Sequence, residues 1–310
     1  MKISIVIPLY NKEAHIRNTL EHIIGQSFQD FEVIVINDGS TDSSEEEVKS
    51  VTDSRIHLYS QENHGVSYTR NRGVDLSSGE LIAFLDADDE WEPDYLQCQY
   101  DLYKRYPDAV AYGTNYYIIE NEKKYVLTFP NIKDNCGILT DYFVSGKSYT
   151  PLWTSAIMIK KSTFIDLGGF PLNYKLCEDI DLWCRLACTG EIAYLNEPHA
   201  VYHRNSTNMA SRATDTTCYF PFLDDYKKYE SIVSSTQFQS IKRYVEYRRL
   251  NAVSYALLVA ENPKLARNII HKIKNETLNK KKLYGYYIMS FCPKWALRFY
   301  VKRRKQRKNK

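Results

Sequence analysis

The chain lacks several features that would place it in other protein classes. It has seven cysteines, an odd number without any C-x-x-C pair, at positions 98, 136, 177, 184, 188, 218 and 292. Neither a disulfide framework nor a zinc site is indicated, so we expect reduced, mostly structural thiols. The first residues, MKISIVIPLYN, lack the basic region, the longer apolar core and the small-residue cleavage site of a signal peptide. We therefore expect a cytoplasmic protein.

Acidic residues are missing from the C-terminal end. No Asp or Glu follows Glu276, whereas twelve Lys and Arg residues lie from Lys280 to Lys310. The formal net charge of +3 therefore conceals an acidic remainder, which has 29 bases against 38 acids. Because that remainder also lacks a base-reading motif, we do not expect a nucleic acid as partner.

Apolar runs long enough to cross a membrane are missing as well. Residues 283–292 and 295–301 are crowded with aromatic and aliphatic side chains, but Pro293, Lys294 and Arg298 interrupt them well short of the ~20 residues that a spanning helix needs. One interpretation is an interfacial helix that makes peripheral contact with anionic lipid at the cytoplasmic face of the plasma membrane. The alternative is a core-packed helix followed by a solvated tail.

What the sequence does contain is a regular alternation of strand and helix patterns. The predicted strands are residues 3–8, 32–38, 55–61 and 81–85, and the predicted helices lie between them, one carrying Ile16, Leu20, Ile23 and Ile24 and the other spanning 65–77. Such alternation is typical of an α/β fold with a Rossmann-like, mostly parallel central sheet flanked by helices. Helical periodicity from about residue 215 predicts a C-terminal helical extension.

The middle of the chain is less regular. Residues 109–129 predict a hairpin with its turn at Glu120 to Lys124, and AIMIK (156–160) predicts a strand that returns to the sheet. Residues 178–188 predict an amphipathic helix.

Polar segments follow three of the four predicted N-terminal strands. They are Pro8-Leu9-Tyr10-Asn11, Asn37-Asp38-Gly39-Ser40 and Asp86-Ala87-Asp88-Asp89. Ligands of open α/β sheets bind beyond the carboxyl ends of the strands, and closely spaced carboxylates are the ligands that Mg²⁺ or Mn²⁺ prefers. Each segment alone also reads as a turn and helix cap, so the prediction of a site rests on the set.

Five motifs, taken together, resemble glycosyltransferase family 2, the inverting group with a GT-A-type fold, and in particular its bacterial cell-surface polysaccharide members. They are IVIPLYNKE (5–13), VIVINDGSTD (33–42), NHGVSYTRNRGV (63–74), GELIAFLDADD (79–89), which contains the D-x-D pattern, and FPLNYKLCEDIDLWCRL (170–186). The motifs occur in the family's order and cover roughly residues 1–205. The resemblance implies metal-dependent transfer of a sugar, with inversion, from a nucleotide-diphosphate sugar to a hydroxyl of a glycan or a lipid-linked acceptor.

The resemblance also implies roles for individual residues on the donor side. Those expected to bind the nucleotide sugar are Pro8, Tyr10, Asn11, Glu13, Asp38, Arg70, Asp86, Ala87 and Asp88. Asp88 is expected to be the main ligand of Mn²⁺ or Mg²⁺, with Asp86 beside it. Arg70 is expected either to reach the diphosphate or to fix Asp38 or Asp86, whereas Arg72 is expected to be solvated.

On the acceptor side, the resemblance implies a catalytic carboxylate at the start of the helix at 178. We expect Asp179 to be the general base, Glu178 to orient the acceptor or the loop, and Asp181 to cap or bond the backbone. Without the resemblance, these acids would simply complement the helix dipole.

Histidines are ambiguous in this sequence. His203, which follows an apolar segment, is expected either to bind the metal or the diphosphate, or to be a surface-loop residue, and Arg204 and Asn205 share that ambiguity. The remaining histidines considered, expected to be structural or exposed, are His15, His57, His64 and His199.

The resemblance divides the chain into a catalytic domain (1–210, with a nucleotide-sugar half, 1–110, and an acceptor half, 111–210), a helical extension (211–279) and the tail (280–310). Two other functions are compatible with an α/β fold and a nucleotide-sugar site. A sugar nucleotidyltransferase would need a glycine- and lysine-rich triphosphate loop near the N-terminus, which the sequence lacks. A degenerate nucleotide-sugar-binding protein would not need intact Asp86, Asp88 and Asp179.

Overall fold

The computed structural model of the protein describes residues 2–129, 132, 134–146, 150–174, 176–204 and 217–308. It forms two compact units, the first comprising residues 1–174 and 178–209 and the second residues 175–177 and 210–310. Asn205 and the expected domain boundary at residue 210 lie outside the described residues. The finer division of the chain into halves, extension and tail stays a prediction.

The strands and helices of the described residues are as follows. The strands are β1 (Ile3–Leu9), β2 (Phe31–Asp38), β3 (Ile56–Gln61), β4 (Leu81–Phe84), β5 (Glu90–Trp91), β6 (Ala111–Glu120), β7 (Lys123–Val126), β8 (Cys136–Ile138), β9 (Ile157–Lys160) and β10 (Ile192–His203). The helices are α1 (Ile16–Ile24), α2 (Ser44–Ser50), α3 (Val66–Leu76), α4 (Tyr95–Arg105), α5 (Tyr142–Ser145), α6 (Lys161–Asp166), α7 (Glu178–Thr189), α8 (Phe222–Asp225), α9 (Ser235–Leu258), α10 (Pro263–Ile273), α11 (Lys280–Met289) and α12 (Lys294–Lys308). Single 3₁₀ turns lie at Thr154–Ala156 and Tyr226–Tyr229.

The first unit is built on one sheet with the strand order β3-β2-β1-β4-β9-β6-β10-β5. Its first four strands are parallel to one another, and all eight residues of β2 are buried. Strands buried on both faces are rich in Val and Ile without strict alternation, as β1 and β2 are. The expected α/β architecture with helices flanking a central sheet is confirmed.

Helices cover both faces of these parallel strands. Ile16, Leu20 and Ile23 of α1 pack in one core cluster with β1, whereas α3 crosses the opposite face. A Cβ on Gly73 of α3 would lie 2.3 Å from Cγ1 of Val6 in β1, so the close approach of α3 to the sheet requires glycine there.

The rest of the sheet is joined differently. β9 pairs antiparallel with both β4 and β6, and β10 runs parallel to β6, so the sheet as a whole is mixed. The hairpin predicted at 109–129 is β6–β7; its turn residues Asn121 and Glu122 have φ of 50° and 63°, as a type I′ turn requires. The strand predicted at 156–160 is β9.

The second unit is helical, and it corrects the expectation for the cysteines. Cys177 and Cys218 form a disulfide across 41 residues. Sequence spacing gave no sign of this pair, because its two residues are brought together by the tertiary structure and not by a local motif.

The aromatic segments near the C-terminus form two helices, α11 and α12, which are separated at Pro293. Leu283, Tyr286 and Leu297 are buried in a cluster with α9 and α10, while Trp295 is 72% exposed and Phe299 55% exposed. One side of these helices therefore packs in a core and another is open, while membrane contact by this segment stays a prediction. None of the helices described here has the length and apolar character that spanning a bilayer demands.

Candidate active site

The candidate site lies at the edge of the sheet where β1, β2 and β4 end. Because these strands are parallel, their carboxyl ends meet at one edge. The segment Asp86 to Asp89 follows β4 there and is fixed from both sides. The Thr19 hydroxyl of α1 donates to the carbonyls of Ala87 and Asp89, both at 3.1 Å, and the Asp86 amide donates to Ser155 Oγ at 3.1 Å. The side chain of Ala87 is buried, so this residue contributes to the site through its main-chain atoms.

Arg70 connects this segment to α7. Its guanidinium donates to Asp86 Oδ1 at 2.7 Å and to Glu178 Oε1 at 2.9 Å, although Glu178 is 108 positions away in sequence. Arg70 is only 4% exposed, and its guanidinium carbon lies 5.2 Å from the centre of the Phe170 ring. Of the two carboxylates expected as partners of Arg70, the structure gives it Asp86, and it adds Glu178.

Asp38 has a different environment. It is 3% exposed; its Oδ1 accepts hydrogen bonds from Gln61 Nε2 at 2.6 Å and the His64 amide at 2.9 Å, and its Oδ2 accepts one from the Gly65 amide at 2.9 Å. The carboxylate therefore fixes the loop that precedes α3. Binding of a nucleotide by Asp38 stays a prediction.

The turn after β1 is bonded to the loop after β2. Asn11, whose φ is 51°, accepts a hydrogen bond on Oδ1 from the Thr41 amide at 2.8 Å. Glu13 Oε2 accepts one from the Ser43 amide at 2.9 Å. Pro8 lies in β1 and takes part in its pairing with β2, and Tyr10 is exposed at the start of the turn. Asn11 and Glu13 thus lie on a turn that is bonded to the loop after β2.

Asp88 and His203, both expected to bind metal, line one cavity of about 340 Å³. Lys12 Nζ lies 2.7 Å from Asp88 Oδ2, and His203 Nε2 lies 3.2 Å from Glu90 Oε1. His203 also lowers the pKa of Glu90, chiefly through this side-chain contact. His15 lines the same cavity, so the expectation that it is merely structural or exposed overlooked its position.

Asp89, which the sequence places in the predicted cation segment without a role of its own, is buried at the end of that segment. Its Oδ2 accepts a hydrogen bond from Ser155 Oγ at 2.7 Å and its Oδ1 one from the His203 amide at 3.4 Å. Burial, then the charges of Asp88 and Asp86, raise the pKa of Asp89 well above its usual range. Asp89 therefore joins β10 to the segment after β4.

Asp179, the expected base, lies in the first turn of α7. Burial of its carboxyl group and the charge of Glu178 raise the pKa of Asp179 to about 7, against the opposing effect of Arg70. The side chain of Asp179 is in turn close enough to Arg70 and Asp86 to feel both charges. A carboxylate with such a pKa is suited to accept a proton near neutral pH.

Two smaller expectations are corrected. Asp181 does not act through the backbone alone, because its Oδ2 lies 2.8 Å from Nε of Arg185, which in turn donates to the carbonyls of Leu167 and Gly169. Arg72 is not simply solvated, since it donates to Gln61 Oε1 at 2.6 Å. Both side chains are structural supports beside the site.

The residues present fit a hard divalent cation. Asp86, Asp88 and Asp89 place excess negative charge in one short segment, which the mutual effect on the pKa of Asp89 reflects. Lys12 and Arg70 offset part of this charge from two sides. Carboxylate oxygens are the ligands that Mg²⁺ and Mn²⁺ prefer, and Mn²⁺ also accepts an imidazole.

Several residues of the site were missed from the sequence. Lys12 and Ser155 each contact the acidic segment, and Glu90, which directly follows it, lies against His203. Lys12 lies inside the N-terminal motif (5–13), and Ser155 directly follows Trp153-Thr154 and precedes the predicted strand at 156–160. Their pairing with the acidic segment, 66 to 76 positions away, is set by sheet topology and leaves no local signal.

The fold and this acidic site define a GT-A-type transferase domain. The family model described as Glycosyl transferase family 2 matches residues 4–168, which is more than half of the chain. The chain therefore belongs to glycosyl transferase family 2, as the five motifs indicated.

Named relatives are glycosyltransferases. The chain is 29% identical over 266 residues to Glycosyltransferase GlyA of Streptococcus pneumoniae serotype 4, covering 82% of this chain and 38% of that protein. It is 27% identical over 249 residues to UDP-Glc:alpha-D-GlcNAc-diphosphoundecaprenol beta-1,3-glucosyltransferase WfgD of Escherichia coli, covering 78% of this chain and 83% of that protein. Across GlyA and three further curated relatives, the chain spans between 26% and 38% of their lengths.

Solved structures support the fold. Staphylococcus aureus TarS 1–349 in complex with UDP-GlcNAc is similar with a TM-score of 0.60 at 18% identity, covering 94% of this chain and 79% of that one. The same TarS fragment with UDP gives a TM-score of 0.59 at 17% identity. At such identities the likeness concerns the fold.

Proposed function

We propose that this protein transfers a sugar from a nucleoside diphosphate sugar to a hydroxyl of a lipid-linked or polysaccharide acceptor, with inversion and with the help of a divalent cation. The observation that carries the proposal is the position of Arg70, which holds Asp86 of the acidic segment and Glu178, the neighbour of Asp179. The buried guanidinium of Arg70 thereby joins Asp86, expected on the donor side, to Glu178, expected on the acceptor side. The likeness to TarS, solved with UDP-GlcNAc and with UDP, supports a nucleoside diphosphate donor.

The donor would lie over the loops after β1 and β2, with its diphosphate toward the acidic segment. Asp88 and Asp86, with His203, would hold Mn²⁺ or Mg²⁺, which when bound neutralises charge on the leaving diphosphate. Lys12 would supply a second positive charge to that diphosphate, because its ammonium group already lies against Asp88. Arg70 would stay with its two carboxylates and keep them in place.

Asp179 would act on the acceptor. Its carboxylate takes the proton of the acceptor hydroxyl as the oxygen forms a bond to the anomeric carbon, and the bond from that carbon to the diphosphate oxygen breaks. The nucleoside diphosphate leaves with the electron pair. Attack from the face opposite the leaving group inverts the configuration, so a single displacement needs only one such base.

Donor binding and transfer can be separated experimentally. Thermal shifts of the full chain with nucleoside diphosphates and their sugars, with and without Mn²⁺, would report binding, since a ligand selective for the native state raises stability. Asp179→Asn should retain the donor-dependent shift but lose about 10²–10⁴-fold in transfer rate. Asp88→Asn should lose the Mn²⁺-dependent part of the shift. The exposed Asp75 of α3 offers a control, Asp75→Asn, which should change neither.

Two results would overturn this assignment. Full transfer activity of Asp179→Asn would remove Asp179 as base. The lack of any shift with every nucleotide tested would remove the donor site.

The acceptor class is proposed on two supports. The name of WfgD specifies a diphosphoundecaprenol-linked acceptor, and in this chain α11 and α12 expose an aliphatic and aromatic set consisting of Tyr284, Ile288, Phe291, Trp295 and Phe299. Basic residues flank this set from Lys280 onward. Aromatic side chains with adjacent Lys and Arg suit the headgroup region of an anionic bilayer, so we infer peripheral membrane contact through this set.

Membrane contact can be tested by vesicle flotation of the full chain. Replacing Trp295 and Phe299 together by Ser should abolish binding to vesicles that contain phosphatidylglycerol, while Ile232→Ser, at a residue 61% exposed, should not. Binding to purely zwitterionic vesicles should be weak, because each basic residue near an anionic surface adds about 1 kcal/mol. Equal flotation of all three proteins would refute the inference.

A further inference from the structure

Four metal-ligating side chains meet on the first unit outside the acidic segment. Asp94 and Cys98 come from the start of α4, and Glu197 and His199 come from β10. His199 was expected to be structural or exposed, and Cys98 to be an ordinary thiol. The function proposed above uses none of the four.

The distances within this group are short. His199 Nδ1 lies 2.9 Å from Asp94 Oδ1, and His199 Nε2 lies 3.7 Å from Glu197 Oε2. Cys98 Sγ is 3.8 Å from each ring nitrogen of His199. One ligand atom from each of Asp94, Cys98 and His199 can be chosen so that all lie within 4.8 Å of one another.

Local structure explains the convergence on the helix side. Cys98 follows Asp94 by four positions, and its amide donates to the Asp94 carbonyl at 2.9 Å, so the two side chains share one face of the helix. On the strand side, Glu197 and His199 are two positions apart in β10, and their side chains approach to 3.7 Å.

A distortion of β10 occurs at the same place. The pairing of β10 with β6 shifts register between Leu195 and Pro198 and again between Pro198 and Ala200. Bulges of this kind re-aim side chains and recur near functional positions. The His199 carbonyl is fixed by a hydrogen bond from the Glu92 amide at 2.9 Å, two residues before Asp94. The irregular strand is thus fastened directly to the segment that leads into α4.

We propose that Asp94, Cys98 and His199 form a binding site for a thiophilic divalent cation of the zinc class, with Glu197 beside the other ring nitrogen of His199 as the residue that orients the imidazole. A thiolate, an imidazole and carboxylates are the ligand types of tetrahedral Zn²⁺ sites, whereas Mg²⁺ prefers oxygen alone. Bonds of about 2.0–2.3 Å place tetrahedral ligand atoms roughly 3.2–3.8 Å apart. The 3.8 Å separation between Cys98 Sγ and His199 Nδ1 is already near that range, and the hydrogen-bonded Asp94–His199 pair has to open slightly.

An ion pair between Asp94 and His199 accounts for only part of the arrangement. It does not account for a thiol placed against the imidazole, or for a second carboxylate on the other ring nitrogen. The side chain of His199 is 12% exposed while those of Asp94 and Glu197 are 57% and 53% exposed. A cation could therefore enter from solvent and displace the proton of Cys98, which passes to the buffer as the sulfur–metal bond forms.

This site is separate from the acidic segment. His199 and His203 lie four positions apart on β10, which corresponds to roughly 13 Å along a strand. A cation there would fasten α4 to β10 rather than touch the donor. Its role would be structural, with the metal joining two elements at an irregular position of the sheet.

Co²⁺ is the probe that distinguishes this site, since a cobalt–thiolate bond gives a charge-transfer absorption that carboxylates alone cannot give. The intact chain, first stripped with a chelator, is titrated with Co²⁺ and then with Zn²⁺. We expect one equivalent of the thiolate band, its displacement by Zn²⁺, and a rise in melting temperature with Zn²⁺. Asp88→Asn should show the same band, because Asp88 belongs to the acidic segment.

Cys98→Ser should lose the band, while the control Cys136→Ser, at another half-buried cysteine of the same unit, should keep it. His199→Ala should weaken Co²⁺ binding by more than about tenfold, since even replacing a residue that only hydrogen-bonds to a metal ligand lowers metal affinity by about 10–100-fold. Glu197→Gln, an exposed change with little risk to folding, should weaken binding without loss of the band. A wild-type chain without the band, or a band that persists in Cys98→Ser, would overturn the proposal.

Discussion

Replacing Arg70 by Met should destabilise the first unit strongly, because Arg70 is a buried cation between two carboxylates. Its guanidinium lies 2.7 Å from Asp86 and 2.9 Å from Glu178. Removing one partner of a buried pair costs about 3–5 kcal/mol, since the remaining charge is left uncompensated. The Asp86 side chain is 30% exposed and that of Glu178 11% exposed, so water can relieve part of the penalty. We therefore expect a loss of about 3 kcal/mol in the free energy of unfolding.

The same change should move the pH dependence of transfer. Arg70 opposes the rise in the pKa of Asp179, which stands at about 7. Without Arg70, that pKa goes higher. Because a general base must be unprotonated, activity rises with pH through its pKa, so the acidic limb of the kcat/KM profile should shift to higher pH in Arg70→Met.

Urea unfolding and a pH–rate profile test these two effects. Arg72→Met, on the same helix, is the matched control and should lose less than about 1 kcal/mol, as hydrogen bonds near the surface do. The loss of unfolding free energy in Arg70→Lys should lie between those of Arg70→Met and Arg72→Met, since lysine retains the charge without the fork-shaped donors. A loss below about 1 kcal/mol in Arg70→Met, or an unmoved acidic limb, would refute the reasoning from the buried pair.

Three further predictions concern other parts of the first unit. The pKa of Asp179 is raised from 3.8 to about 7. The contribution of this carboxyl group to stability is therefore present below about pH 4 and is lost as the pH rises through 7. Asp179→Asn, which cannot ionise, should be more stable than wild type at pH 8 by more than about 1 kcal/mol in urea unfolding. Gly73→Ala should lose about 1–3 kcal/mol in the same assay, because its Cβ would lie 2.3 Å from Val6. Glu122→Gly should raise the melting temperature slightly, because Glu122 has φ of 63° and glycine removes roughly 1 kcal/mol of strain; an unchanged or lower melting temperature would contradict this.

The N-terminal half of the fold could be read from the sequence because its signals are local. β1 and β2 are runs of Val and Ile, α1 has a clear apolar face, and the acidic segment directly follows β4. The β6–β7 hairpin was also local. In each case, the residues that decide the structure lie within one element and its turn.

The features that could not be predicted from the sequence depend on contacts between residues that are distant in the chain. β10, which brings His199 and His203 to their positions, owes its place to pairing with β6, about 80 positions earlier. The bond of Arg70 to Glu178 and the disulfide of Cys177 with Cys218 have the same origin. A single sequence contains no signal for such pairs, since neither partner has a local pattern that specifies the other.

The hydrogen bonds between the turn after β1 and the loop after β2 have a consequence for affinity. The side chains of Asn11 and Glu13 accept hydrogen bonds from the backbone amides of Thr41 and Ser43, so both loops are already ordered in the free protein. A ligand that settles on them does not have to immobilise them, and little of its interaction energy is spent on loss of chain entropy. Under the proposed function, weakening these cross-loop bonds should therefore lower nucleotide affinity in part through an entropic penalty, in addition to any contact that Asn11 or Glu13 makes with the ligand.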